Sequence, residues 1–176
     1  QSLVTNLGFL DSGFVVTCNG ERINQLSSLY DEIGSATVSK NGYGQLKLNF
    51  AGRNLRDDPF FKKAPHPSNF VMTQCGLYIK EPTVSGLVED KFLEDLVDRM
   101  VDLGYNFWID LPNNIGLTKG RNNVMAGDTE YVAKAVTEAF TQGVLEKILE
   151  DENIVYEMDT VLGDVVDRIL GLKVKQ

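Results

Sequence analysis

Leu46, Leu48 and Phe50 alternate with Lys47 and Asn49, just after the segment Lys40-Asn41-Gly42-Tyr43. Period-two alternation belongs to a strand with one face in a core and the other in water. Asn-Gly supplies the positive φ angles that a tight hairpin needs. The pattern therefore predicts a hairpin of 36–39 with 46–50, with Lys47 and Asn49 turned to solvent. A β-branched and aromatic run over 13–18 ends at Asn19-Gly20, a second hairpin signal. Ile23, Leu26, Leu29, Tyr30 and Ile33 recur at helical spacing before Gly34, which predicts a short helix over 24–33. An irregular stretch over 52–69 holds Pro59, Pro65 and Pro67, and one further strand is expected over 70–79.

The period changes in the second half. Leu87, Val88, Phe92, Leu93, Leu96, Val97, Met100 and Val101 mark an amphipathic helix that stops at Gly104. An aromatic strand over 105–111 closes at Pro112. Beyond a Gly/Asn-rich loop, Asp128 stands as N-cap of a helix through Val132, Val136, Phe140 and Leu145, which Gly143 interrupts. A last helix is expected over 160–170, from Val161, Leu162, Val165, Val166, Ile169 and Leu170. Strands first and helices later indicate an α+β fold. Its mainly antiparallel sheet should come from the N-terminal half and 105–111. Three to four helices, mostly C-terminal, should cover one face. At 176 residues the whole chain is expected to form one such domain, β-rich over 1–80 and helix-rich over 81–176.

No apolar run approaches the ~20 residues that cross a bilayer, and the first residues lack a signal-peptide pattern. The expected setting is cytoplasmic or otherwise intracellular, including the inside of a viral particle. Cys18 and Cys75 lie in strand-like runs with no CxxC spacing and no neighbouring His. They read as buried, reduced thiols. One histidine, His66, excludes a multi-histidine zinc site, and no serine elbow accompanies it for nucleophilic catalysis. Glu89, Asp90, Glu94, Asp95, Asp98 and Asp102, with Lys91 and Arg99 between them, fit the solvated side of a helix better than a metal site. No cofactor and no metal is expected.

Net charge is −8, unevenly spread. Residues 1–80 hold eight Lys/Arg against six Asp/Glu, a balance of +2; residues 81–176 hold nine against nineteen, a balance of −10. The acidic half opposes nucleic-acid wrapping, which needs clustered cations. Two loops stand out. The 112–127 loop joins a strand to a helix, where anions often bind, and offers Lys119, Arg121, Asn122 and Asn123. Its Gly116-x-x-Lys119-Gly120-Arg121 run departs from a phosphate-binding loop, whose Lys directly follows the glycine. The second loop carries Arg53, Arg56, Phe60 and Phe61, with Lys62, Lys63, Asp57 and Asp58 beside them. Cations beside aromatics suit protein contact, or single-stranded bases less well.

The reading that follows is a non-enzymatic structural or interaction protein with no catalytic residue. It would assemble head-to-tail, or with a protein partner, through charge-complementary surfaces, as a phage-type assembly subunit does. The alternative is a small enzyme acting on a phosphorylated or nucleotide substrate, with Asp110, Lys119, Arg121 and a Mg²⁺ ion around the 112–127 loop. An acidic inhibitor imitating nucleic acid is a third reading.

Overall fold

The computed structural model describes residues 9, 17–22, 34–39, 44–59, 69–80, 84–120 and 122–174. The helix expected over 24–33, together with His66, Phe60, Phe61, Lys62, Lys63 and Arg121, lies outside the described residues. A two-residue ribbon pairs β1 (Thr17–Cys18) with β2 (Glu21–Arg22). Its turn has φ of 53° at Asn19 and 84° at Gly20, the doubly positive pair that the Asn-Gly signal foretold.

The main sheet has the order β3 (Gly34–Ser39), β4 (Gln45–Ala51), β7 (Asn106–Leu111), β5 (Phe70–Gln74), β6 (Leu77–Lys80). Every pairing is antiparallel except β5 with β7. The α+β expectation holds, and the single strand of the second half sits in the middle of the sheet. The strand expected over 70–79 is instead a hairpin. Cys75 and Gly76 have φ of 48° and 85°, so the chain reverses there. Gly76 was the available signal, and Cys75 masked it, because cysteine rarely adopts positive φ.

The α-helices whose bounds are described follow residue 90. They are α1 (Lys91–Asp102), α2 (Thr129–Ala139), α3 (Leu145–Glu150), α4 (Glu152–Leu162) and α5 (Val165–Val174). The Asp90 carboxylate caps α1 by accepting from Leu93 N at 3.1 Å. Gly104, with φ of 99°, ends it, and Tyr105 N returns to Met100 O. Gly143 does not break the next helix. A π-helical turn (Phe140–Val144) carries α2 into α3, and Leu145 N reaches Phe140 O. The helix expected over 160–170 is divided. Gly163 and Asp164, with φ of 75° and 52°, separate α4 from α5. Asp159 Oδ1 then accepts from Val165 N at 3.0 Å to start α5.

Register fixes which side chains share a face. Phe50 stands opposite Phe107, and Phe107 opposite Phe70. The Phe107 ring lies 5.0 Å from Phe50, 5.8 Å from Phe70 and 5.3 Å from Phe140. This aromatic centre joins the sheet to the helical layer and merges with Leu46, Leu48, Ile109, Leu93, Leu96 and Ile148 in one core. The opposite face has a smaller cluster of Phe9, Ala51, Leu55, Val71 and Trp108. Asn49 belongs to that second face and is buried, contrary to the solvent position expected of it. Among the described residues neither of its side-chain polar atoms has a hydrogen-bond partner. Alternation placed Asn49 on the correct face; it could not show that this face is also covered.

Candidate functional site

The two loops singled out by sequence fall at opposite ends of β7. Arg53 follows β4 where Ala51 pairs with Asn106, at the start of β7; the 112–127 loop leaves from its end at Leu111. The five residue-to-residue steps of β7, at about 3.3 Å each, keep them roughly 17 Å apart. They do not form one site.

Arg53 and Arg56 lie in a 3₁₀ turn (Arg53–Asp57). Arg53 is committed to the fold. Its Nη1 lies 3.1 Å from Glu157 Oε2 on α4, and its guanidinium stands 5.1 Å from the centre of the Tyr105 ring. Tyr105 donates its hydroxyl to the same carboxylate, Oε1 at 3.2 Å. Burial, and then the Glu157 charge, push the Tyr105 phenol above its ordinary range. The first-half cation thus joins the second-half helices, an attraction of the sort the charge asymmetry suggested, satisfied within one molecule.

The 112–127 loop folds back on itself. Leu117 bridges Val124, Thr118 N donates to Asn123 O at 2.8 Å, and Met125 N donates to Gly116 O at 2.8 Å. Gln74 Nε2 holds the base of the loop by donating to Pro112 O and Ile115 O. Asn114 Oδ1 accepts from Gly44 N, just before β4. Lys119 and Asn122 stand exposed at the tip, where Asn122 Oδ1 accepts the Thr118 hydroxyl. Asp128 makes no N-cap bond to the helix behind it; its Oδ2 accepts from Gly116 N at 2.7 Å. A carboxylate therefore holds a loop N–H that an incoming phosphate would need, and its charge opposes that phosphate.

Asp110 is likewise engaged. Its Oδ1 accepts the Thr73 hydroxyl at 2.6 Å and Gly76 N at 2.8 Å, while Trp108 Nε1 donates to Thr73 Oγ1 at 2.7 Å. This chain of bonds fastens the β5–β6 turn to the central strand. Cys75, expected to be buried, is exposed on that turn as a free thiol. Partial burial and then the Asp110 charge raise its pKa, so it stays protonated at neutral pH. Among the described residues no three His, Cys, Asp or Glu side chains are grouped to hold a metal. No helix among them is long and apolar enough to cross a membrane.

The feature that sequence reasoning only half resolved is the apolar stripe at the C-terminal end. The structure divides it. Val165, Ile169 and Leu172 are buried against the core, whereas Val166, Leu170 and Val174 are 40%, 47% and 86% exposed. These three recur every four residues along α5 and so share one side of it. Val161 and Tyr156 on α4 are exposed as well. The signal was present in the sequence, because Val165-Val166 and Ile169-Leu170 make an apolar face wider than one buried surface needs. No protein-family model and no curated protein matches this chain.

Proposed function

We propose that this chain is a non-enzymatic structural or interaction subunit, docking onto a protein partner or onto copies of itself through charge-complementary surfaces. The observation that carries the reading is the uncovered half of the α5 stripe. A row of Val166, Leu170 and Val174 left in water forgoes about 25 cal/mol for each Å² of apolar surface that a partner would cover. The acidic balance of the helical half supplies the charge term, which steers encounter and selects the partner. Head-to-tail contact between copies, as in a phage-type shell or tail subunit, is one form of this assembly. On this reading the chain works inside a cell or a viral particle.

Native mass spectrometry and light scattering across protein concentration and salt test the proposal. Oligomers or defined complexes that weaken as salt rises, and weaken again in Leu170→Ser, support it. A strict monomer at low salt that is stabilised by a nucleotide with Mg²⁺ overturns it in favour of the enzyme.

A further inference from the structure

We infer that Asn19 is a site of self-catalysed modification, where the Gly20 backbone nitrogen displaces the side-chain amide and leaves aspartate or isoaspartate. The inference is independent of the docking reading and rests on the turn between β1 and β2.

The first argument is chemical. The Gly20 nitrogen bonds to Asn19 Cγ, the Cγ–Nδ2 bond breaks, and ammonia departs with the proton from the Gly20 N–H. A five-membered succinimide ring remains. Water then opens the ring at either carbonyl. Opening at Cγ gives aspartate; opening at the main-chain carbonyl gives isoaspartate, whose chain runs through the former side chain. Water is the sole co-reactant. A side chain on the following residue shields the attacking nitrogen, and glycine has none. Asn-Gly occurs at 19–20 and 41–42, and the second pair lies outside the described residues.

The second argument is structural, because the turn leaves the pair unguarded. Asn19 and Gly20 are both exposed, and a Cβ built at Gly20 would meet nothing within 4 Å. Among the described residues no hydrogen bond holds the Asn19 carboxamide. In a two-residue hairpin turn the closing bonds belong to the flanking residues, here Cys18 and Glu21, so the Gly20 N–H stays outside the ladder. The ribbon has two residue pairs, Thr17 with Arg22 and Cys18 with Glu21, and so short a ribbon resists little when the turn rotates toward ring closure. Asn113, Asn122 and Asn123 are also exposed, but Asn114, Asn123 and Val124 follow them.

The two products differ in what they do to the turn. Each adds one negative charge to the weakly basic half of the chain. Aspartate keeps the turn, since Asp-Gly suits the same doubly positive geometry. Isoaspartate lengthens the main chain by one carbon, and the register set by a two-residue loop is then lost. The ribbon thus carries a switch that is thrown by time and alkalinity.

The test incubates the full chain in mildly alkaline heavy-oxygen water and follows each asparagine by peptide mass mapping. Expected is conversion of amide to acid at Asn19 ahead of Asn113, Asn122 and Asn123, with heavy oxygen in the new carboxylate and a rate that climbs with pH. Isoaspartate should be present among the products. Gly20→Ala should slow Asn19 to the rate of those three loop asparagines. Loosening of the ribbon by that alanine, placed where φ is 84°, would free the turn and speed the reaction, so slowing reports the shielding by Cβ. An Asn19 that keeps its amide as long as the loop asparagines do, or reacts equally fast in Gly20→Ala, overturns the inference.

Discussion

Thr73 donates its hydroxyl to Asp110 at 2.6 Å across the parallel pairing of β5 and β7, and it accepts the Trp108 indole N–H through the same oxygen. One buried hydroxyl therefore satisfies two partners at once. Thr73→Val keeps the shape but removes the indole N–H bond to Thr73 and the charge-assisted bond to Asp110. A loss of about 2–3 kcal/mol in urea unfolding is expected, with Thr73→Ser recovering most of it. An unchanged midpoint in the valine variant would show that the network carries no stability.

Ile169 and Leu170 are neighbours with opposite environments. Ile169→Ala should cost about 2–5 kcal/mol, because it empties space in the core. Leu170→Ala should change the stability of the isolated chain by about 0.5 kcal/mol or less. Parallel thermal melts check the contrast. Equal losses would mean that α5 is rotated from the orientation described.

Gly163 adopts φ 75° and ψ 142°, a conformation open almost only to glycine. Gly163→Ala should cost about 1–3 kcal/mol although open space surrounds the site. Denaturant unfolding measures it, and a neutral result would place the break between α4 and α5 elsewhere.

Asp98 has its carboxyl pKa raised, first by partial burial and then by Asp102, Glu94 and Asp95. The folded state therefore holds this proton more tightly than the unfolded state does. Stability from the group is highest at low pH and is lost as pH rises through the carboxylate range. Asp98→Asn should then stabilise at pH 7 by about 0.5 kcal/mol or less, given its solvent screening, and the gain should vanish below the ordinary carboxylate pKa. Melts of both proteins from acid to neutral pH show whether the curves converge.

Cys75 is exposed, yet its thiol titrates higher than an ordinary cysteine. Its modification by a thiol-reactive disulfide reagent should run slower at pH 8 than that of a small free thiol and climb with pH. Asp110→Asn should speed the reaction by removing one source of the upward shift. A slower variant would argue against this electrostatic account.

The strands with clean alternation and the helices with glycine stops were legible because one local rule decided each. Leu46, Leu48 and Phe50 needed only period two, and Gly104 needed only its positive φ. Three features escaped. The reversal at Cys75-Gly76 is carried by a residue that seldom takes such angles. Asn49 looked solvent-exposed because burial of a second sheet face depends on what packs there from distant sequence. The division of the 160–170 helix escaped because Val161, Leu162, Val165 and Val166 keep helical spacing straight through Gly163 and Asp164. Of the candidate site, the loops were visible by composition. Their separation along β7, the engagement of Arg53 by Glu157 and that of Gly116 by Asp128 are long-range facts that no window of sequence contains. The stripe on α5 was seen, but which half of it remained uncovered was a matter of tertiary packing.

The central position of β7 bears on how the molecule comes into being. As the chain leaves the ribosome, β3 to β6 emerge well before β7, yet β4 and β5 have no direct ladder between them. Each nascent hairpin must wait, one bare edge outward, until Leu111 has been synthesised and the missing middle can be inserted. Slow translation between Lys80 and Asn106 would lengthen that vulnerable interval, and chaperone demand during biosynthesis should concentrate there.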